Sequence, residues 1–464
     1  MTAFSLEPSQ TARCAELRAL AAERLHPLAE KGEPGQVNRP LVAELGRLGL
    51  LERLFTSGAL DLCLMRESLA YACTEAETAL ALQGLGAHPV HAHGTPAQRD
   101  RWLPAVGEGS AVAAFALSEP GAGSDAAALG LRAEGEGGAW GVGADPSETW
   151  AGGAGAGFGS SQVGGSAGPA AGAGGAGRGP SDGAPGATPG AVRSEQSPGS
   201  EAAGSSAAGP SAPRSRTGDP VAESDGPSRW RLTGEKCWIS NAPEADFYTV
   251  FARTTPGAGA RGVTAFLVPA DRPGLTGTAL DMLSPHPIGA LAFDAVPVSA
   301  DDVLGEVDRG FRVAMGTLNL FRPSVGAFAV GMAQAALDAT LAHTSRRDAF
   351  GGKLRDLQSV AHTVAEMALR TDAARLMVYA AATAYDEGAP DVPKRAAMAK
   401  LLATETAQYV VDTAVQLHGA RALQRGHLLE HLYREVRAPR IYEGASEVQR
   451  GIIAKELYAD LEVS

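Results

Sequence analysis

Four short stretches of this 464-residue chain carry residue types that could do chemistry. Phe115-Ala-Leu-Ser-Glu-Pro-Gly-Ala-Gly-Ser-Asp125 runs from an apolar strand into a turn with Pro120, Gly121 and Gly123. Its bare backbone N–H groups, with the hydroxyls of Ser118 and Ser124, could hold a phosphate or a ring carbonyl, although a strand end needs such a turn anyway. Lys236-Cys-Trp-Ile-Ser-Asn241 sets Trp238 two residues from the Ser240 hydroxyl, which suits either one wall of a flat ligand site or plain β-core. Arg346-Arg-Asp-Ala-Phe-Gly-Gly352, followed by Gln358, gathers cationic, aromatic and amide groups around a glycine break. There Arg347 could grip a pyrophosphate through its planar fork, or simply stand in solvent. Tyr442-Glu443-Gly444-Ala445-Ser446 places a carboxylate at a break after Pro439. Held in an apolar pocket, such a carboxyl has a raised pKa and becomes a usable general base; on a surface it would only open another helix.

The elements that must position these residues fall into three parts. From Gln10 to about Val112 the pattern is helical and Ala/Leu-rich, punctuated by Gly94 and Pro96. Short β-branched or aromatic runs follow at Phe115–Leu117, Trp230–Thr233, Phe247–Arg253 and Val263–Val268, separated by turn residues. From Gly310 onward the pattern is helical again, with Leu357, Val360, Ala361, Val364, Met367 and Ala368 spaced to share one face, as in a bundle. Between Glu134 and Ser228, 69 of 95 residues are Gly, Ala, Ser or Pro, and 26 of the chain's 58 glycines lie there. A segment so poor in large apolar side chains is expected to be disordered, because it cannot offset its conformational entropy. The sequences on either side, 129–138 and 228–236, read as two arms of a hairpin with the insertion at its tip, where added length costs little. The expectation is an α+β fold: an all-α domain over 1–113, a small β-barrel-like domain over 114–300 carrying the 134–228 insertion, and a C-terminal four-helix bundle over 301–464.

Composition excludes several classes. Forty basic against 52 acidic residues give a net charge of −12, which argues against a nucleic-acid binder. No run of about 18 uninterrupted apolar residues exists, so no membrane span is expected. The N-terminus shows no secretory signal pattern, and a cytoplasmic protein is expected. Cys14, Cys63, Cys73 and Cys237 are scattered, with no spacing for a metal or a disulfide framework.

Taken together, the order and spacing of these stretches closely resemble the acyl-CoA dehydrogenase family of flavoproteins. Ala-Leu-Ser-Glu-Pro-Gly-Ala-Gly-Ser-Asp at 116–125 resembles its first signature, and Lys236-Cys-Trp-Ile-Ser-Asn resembles its second flavin strand. Arg347-x-x-Phe-Gly with Gln358, and Arg434-Glu435 leading into Ile-Tyr-Glu-Gly at 441–444, are similar to its C-terminal signatures. Without the insertion, the remaining 369 residues are close to the usual family length. The resemblance implies FAD as cofactor and α,β-dehydrogenation of an acyl-CoA, or of an acyl group on a carrier protein, with an electron-transferring flavoprotein as acceptor. It assigns Glu443 as the base that takes the α-proton; members with the base elsewhere carry a Glu where Phe321 precedes Arg322-Pro323. Phe115, Leu117, Ser118, Ser124, Trp238 and Ser240 are implied flavin contacts, and Ser124, Asn319, Arg322, Tyr442 and Gly444 implied substrate contacts. Arg347, Phe350, Gln358, Gln416 and Gly419 match positions that reach the FAD of a neighbouring subunit, which implies a homodimer or homotetramer. A flavin oxidase or monooxygenase on the same fold, or a catalytically silent scaffold, are the competing readings; the carboxylate at 443 argues against both.

Overall fold

The computed structural model describes residues 6–135 and 229–462. The expected disorder of the 134–228 insertion therefore falls almost wholly outside the described residues. Seven helices come first: α1 (Pro8–Leu20), α2 (His26–Ala29), α3 (Arg39–Arg47), α4 (Arg53–Thr56), α5 (Ala59–Ala72), α6 (Thr74–His93) and α7 (Pro96–Glu108). Their punctuation follows local chemistry. At the start of α7 the Thr95 hydroxyl accepts the Gln98 N–H at 3.2 Å while Gln98 Oε1 accepts the Thr95 N–H at 2.7 Å, and Pro96 needs no partner in the first turn. Gly109, at φ 76°, ends the helix in the left-handed conformation.

The middle of the chain forms an eight-stranded mixed sheet. Its strands are β1 (Ala113–Ala116), β2 (Arg132–Gly135), β3 (Arg229–Ser240), β4 (Phe247–Arg253), β5 (Val263–Pro269), β6 (Leu275–Ala279), β7 (Ile288–Ser299) and β8 (Val303–Leu304). The order is β6-β7-β3-β2-β4-β5-β8, and β1 pairs in parallel with β4 off this path. β5 is buried along its length and β4 along all but Arg253, as their continuous apolar runs require. The two hairpin arms do pair: β2 runs antiparallel to β3, with Glu134 opposite Arg231 and Gly135 opposite Trp230.

The last part is helical: α8 (Gly310–Arg346), α9 (Gln358–Asp386), α10 (Val392–His418), α11 (Leu428–Glu435) and α12 (Ser446–Glu462), with the small hairpin β9 (Asp348–Ala349) and β10 (Gly352–Lys353) after α8. α8, α9 and α10 pack on one another, α12 lies against α10, and α5 lies against α8 and α9. Small residues at the seam allow this closeness: a Cβ on Gly331 of α8 would stand 2.5 Å from the Glu67 carbonyl of α5. On α9, Val360 and Met367 are buried and Val364 and Ala368 pack beside them, whereas Ala361 is exposed. By length and composition α8 is apolar enough to cross a bilayer, but 72% of its most apolar window is buried inside the protein.

Candidate active site

The first two chemistry-bearing stretches come together on the sheet. The Cys237 N–H donates to the Ser118 carbonyl at 3.0 Å, tying the end of β3 to the turn that leaves β1. Beneath them Lys236 is completely buried; its Nζ donates to the Leu117 carbonyl at 2.9 Å and to Glu119 Oε1 at 2.7 Å. Glu119 in turn accepts the N–H groups of Gly130 at 2.5 Å and Leu131 at 3.0 Å, so one buried ion pair fixes the whole turn. Burial pushes the Lys236 ammonium down to about 8, and Glu119 opposes that shift. The β3–β7 register shifts between Lys236 and Ile239, and Trp238 there sits at φ 58°. This bulge leaves Ile239 in the core and Trp238 48% exposed. Ser240 pairs opposite Ile288, Phe115 packs its ring 4.9 Å from that of Phe251, Leu117 is buried, and Ser124 is exposed.

The Glu443 loop lies between the last helices. Glu443 and Gly444 both take the left-handed conformation, at φ 51° and 95°. Their carbonyls are held by side chains from three helices. Arg322 Nε of α8 donates to the Glu443 carbonyl at 3.2 Å, Lys400 Nζ of α10 to the Gly444 carbonyl at 2.7 Å, and Gln449 Nε2 of α12 to both, at 3.1 and 2.9 Å. Arg322 also donates to Asn319 Oδ1 at 3.3 Å. The carboxylate oxygen Glu443 Oε2 is buried and accepts no hydrogen bond. Burial raises the pKa of this carboxyl, while the charges of Arg66, Lys400 and Arg322 pull it back. Arg66 itself is buried, paired through Nε with Glu77 and donating from Nη1 to Ser324 Oγ at 2.6 Å. Tyr442 stands next to Glu443 and feels the charges of Glu77 and Arg66.

Arg347, Phe350, Gln358, Gln416 and Gly419 are exposed and belong to a different region. The rings of His343 and His418 stack at 4.1 Å, joining the C-terminal ends of α8 and α10 and hence the neighbourhoods of Arg347 and Gly419. Arg322 lies inside α8 and Arg347 at its C-terminal end, about 37 Å further along at a rise of ~1.5 Å per residue. The structure thus brings Ser118 and Trp238 together, and Asn319, Arg322 and Glu443 together, while Arg347 lies far along the molecule from Arg322. A groove of about 630 Å³ between α3, α6 and the 281–287 loop has Leu41, Thr78, Met282 and His286 on its walls. Neither Glu443 nor Trp238 borders it; the Glu443 loop, with its unpartnered buried carboxylate oxygen and the donors of Arg322, Lys400 and Gln449 converging on its main chain, is the candidate site.

Sequence reasoning missed Arg66, Lys400 and Gln449. Their signal was present: a single arginine in CLMRESLAYA and a single lysine in AAMAKLLA are charges set in apolar helical runs, which point inward only when something there needs them.

Helices, a mixed sheet and a helical bundle in this order, with a half-buried glutamate loop held by the last helices, define the architecture of the acyl-CoA dehydrogenases. The family models agree: the acyl-CoA dehydrogenase N-terminal domain matches residues 7–110, the middle domain 194–296 and the C-terminal domain 308–458. The chain belongs to the acyl-CoA dehydrogenase family, whose members are FAD flavoproteins. It is 38% identical over 239 residues to the probable acyl-CoA dehydrogenase FadE25 of Mycobacterium tuberculosis, a match covering 51% of this chain and 61% of that relative's length. The cyclohexane-1-carbonyl-CoA dehydrogenase of Geobacter metallireducens is 28% identical over 95% of both chains. Among solved structures, butyryl-CoA dehydrogenase from Megasphaera elsdenii superimposes with a TM-score of 0.73 at 26% identity, covering 98% of this chain and 99% of that one. The residues present fit a flavin: an exposed tryptophan on a bulged strand end, hydrogen-bonded beside a Gly/Ser turn, offers a flat face with adjacent main-chain donors.

Proposed function

We propose that this chain is an FAD-dependent acyl-thioester dehydrogenase that converts an acyl-CoA into its 2-enoyl thioester, with Glu443 as the α-proton base. The observation that carries this reading is the state of the Glu443 carboxylate: buried, raised in pKa, and with Oε2 free of any hydrogen bond. A base for a carbon acid needs that arrangement, since a C–H proton offers no hydrogen bond beforehand and a carboxylate already satisfied by N–H donors would be too weak a base. When bound, FAD supplies the acceptor for the hydride from the substrate β-carbon. Phe115, Leu117, Ser118, Ser124, Trp238 and Ser240 would hold the flavin, and Asn319, Arg322, Tyr442 and Gly444, with Ser124, would line the thioester. Arg322 fixes the base by its main chain and leaves the carboxylate to the substrate.

The separation of Arg347 from Arg322 supports the second part of the reading. Arg347, Phe350, Gln358, Gln416 and Gly419 serve the FAD of a second copy, so the working unit is a homodimer or a dimer of dimers. Re-oxidation by an electron-transferring flavoprotein, in a cytoplasmic setting that suits four free cysteines, completes the proposal. The test is direct. The purified protein should show a flavin visible spectrum that bleaches, without oxygen, on addition of one member of an acyl-CoA panel. Absence of flavin, or flavin that no acyl-CoA and no acyl-carrier-protein thioester bleaches, would overturn it.

A further inference from the structure

Lys400 is a fully buried ammonium in the middle of α10. Its hydrogen bond runs 2.7 Å to the carbonyl of Gly444, an uncharged acceptor. A buried cation without a carboxylate in its own hydrogen bond is costly to keep, unless a nearby negative charge repays it. The groups whose charges bear on Lys400 are Glu443 from the loop, Arg322 from α8, Glu405 from its own helix and Glu447 from α12, with Glu443 the strongest. Seen from Glu443, the facing charges are Arg66 of α5, Lys400 and Arg322. Arg66 has its charge matched by Glu77. Arg322 spends its donors on the Glu443 carbonyl and the Asn319 amide. Lys400, like Arg322, has no carboxylate in its own hydrogen bond; it joins the main chain directly after the base to the charge balance of the base, and its charge bears on Glu443 more than that of Arg322.

We propose that Lys400 is a positioning residue for Glu443, holding the left-handed Glu443-Gly444 turn through the Gly444 carbonyl and keeping the neighbouring carboxylate ionised by its charge. This rests on the reading of Glu443 as the base. The two duties separate by substitution. Lys400→Gln keeps an N–H donor for Gly444 and drops the charge, Lys400→Met drops both, and Lys400→Arg keeps both.

The experiment measures anaerobic bleaching of the holoenzyme against pH, using the acyl-CoA that reduces the wild type fastest, after visible absorbance has shown equal flavin content. Protonation of Glu443 sets the acid limb. Losing a facing cation raises a carboxyl pKa, so in Lys400→Gln the limb should move to higher pH by about one unit. In Lys400→Arg it should stay with the wild type, and Lys400→Met should show the same move plus a lower plateau rate. An acid limb in Lys400→Gln that coincides with the wild type overturns the proposal. If Lys400→Met does not fold, the Gln and Arg variants decide alone. Infrared difference spectra against Glu443→Gln titrate the carboxyl directly in the substrate-free protein. Unchanged bleaching in Glu443→Gln would remove the base reading, whereas an unmoved carboxyl titration in Lys400→Gln would remove the lysine's role.

Discussion

Arg322 and Glu443 meet through the main chain: the guanidinium Nε donates to the Glu443 carbonyl at 3.2 Å, while the buried carboxylate oxygen Oε2 of the same residue accepts nothing. The loop is thus anchored by its backbone and its reactive end is left open. Glu443→Gln preserves the backbone anchor and the side-chain volume, and it removes only the proton acceptor. The variant should remain yellow and fold normally, with anaerobic bleaching by acyl-CoA slowed about 10³-fold, as loss of a general base does. Rapid reduction in this variant would place the base elsewhere.

Glu119 and Lys236 form a second relationship of the same importance. The pair is buried under the turn that joins the Ser118 and Trp238 stretches. Glu119→Ala would leave Lys236 charged and unpaired in the core and free the Gly130 and Leu131 N–H groups. We expect a loss of about 3–5 kcal/mol in urea unfolding, with flavin released on gel filtration. A variant as stable as wild type would show that Lys236 simply gives up its proton there.

How far these sites could be read from sequence depends on the kind of signal. Trp238, Ser118 and Glu443 stand in local runs that each allow a plain turn, core or surface reading, and only the joint order and spacing of the runs singles them out, whereas β4 and β5 are continuous apolar runs that read as strands. β6 and β7 escaped the pattern. β6 is Leu-Thr-Gly-Thr-Ala with four of five residues exposed, and β7, whose burial alternates on both sides of Asp294-Ala295, carries Gly289, Ala290, Ala292 and Pro297, residue types that do not announce a strand. The donors that fix the Glu443-Gly444 turn come from 121, 44 and 6 residues away from the carbonyls they hold, at Arg322, Lys400 and Gln449. Only the packing of α8, α10 and α12 brings them to one point.

The pairing of Gly135 with Trp230 bears on the segment between them. Strand ends that already face each other need only a short turn. Deleting residues 136–228 and joining 135 to 229 through Asn-Gly should leave flavin content and bleaching rate within about twofold of the full chain, since loop-closure entropy falls slowly with length. Loss of FAD from the shortened protein would assign that segment a part in the site.

Arg347 is exposed at the end of α8, about 37 Å along the helix from Arg322. If it serves a second subunit, Arg347→Ala should leave the thermal unfolding of the flavin-free protein unchanged and weaken FAD binding by about tenfold, because one bidentate charged contact is lost. Mixing it with Glu443→Gln subunits should restore some active sites by complementation. No recovery in mixed oligomers would mean that each chain supplies its own Arg347.

His286 and Glu435 join the 281–287 loop to α11, with Nε2 and Oε2 2.5 Å apart and both groups largely buried. Burial lowers the affinity of His286 for a proton, but Glu435, Glu75 and Glu77 outweigh it, and the imidazole ends above its usual 6.5. For Glu435 burial raises the pKa, and His286, His431 and Arg434 bring it below its usual 4.5. The raised histidine contributes stability that is complete below 6.5 and fades as pH climbs through its folded pKa. The lowered glutamate contributes stability that is complete above 4.5 and fades as pH drops through its own folded pKa. Both contributions are full only between about pH 4.5 and 6.5. Replacing His286 by Asn should therefore lower the unfolding temperature most within that window, by the equivalent of about 3 kcal/mol, with the gap closing on either side. A gap that instead grows above pH 8 would mean that His286 is held neutral in the fold and that the contact to Glu435 is an ordinary hydrogen bond.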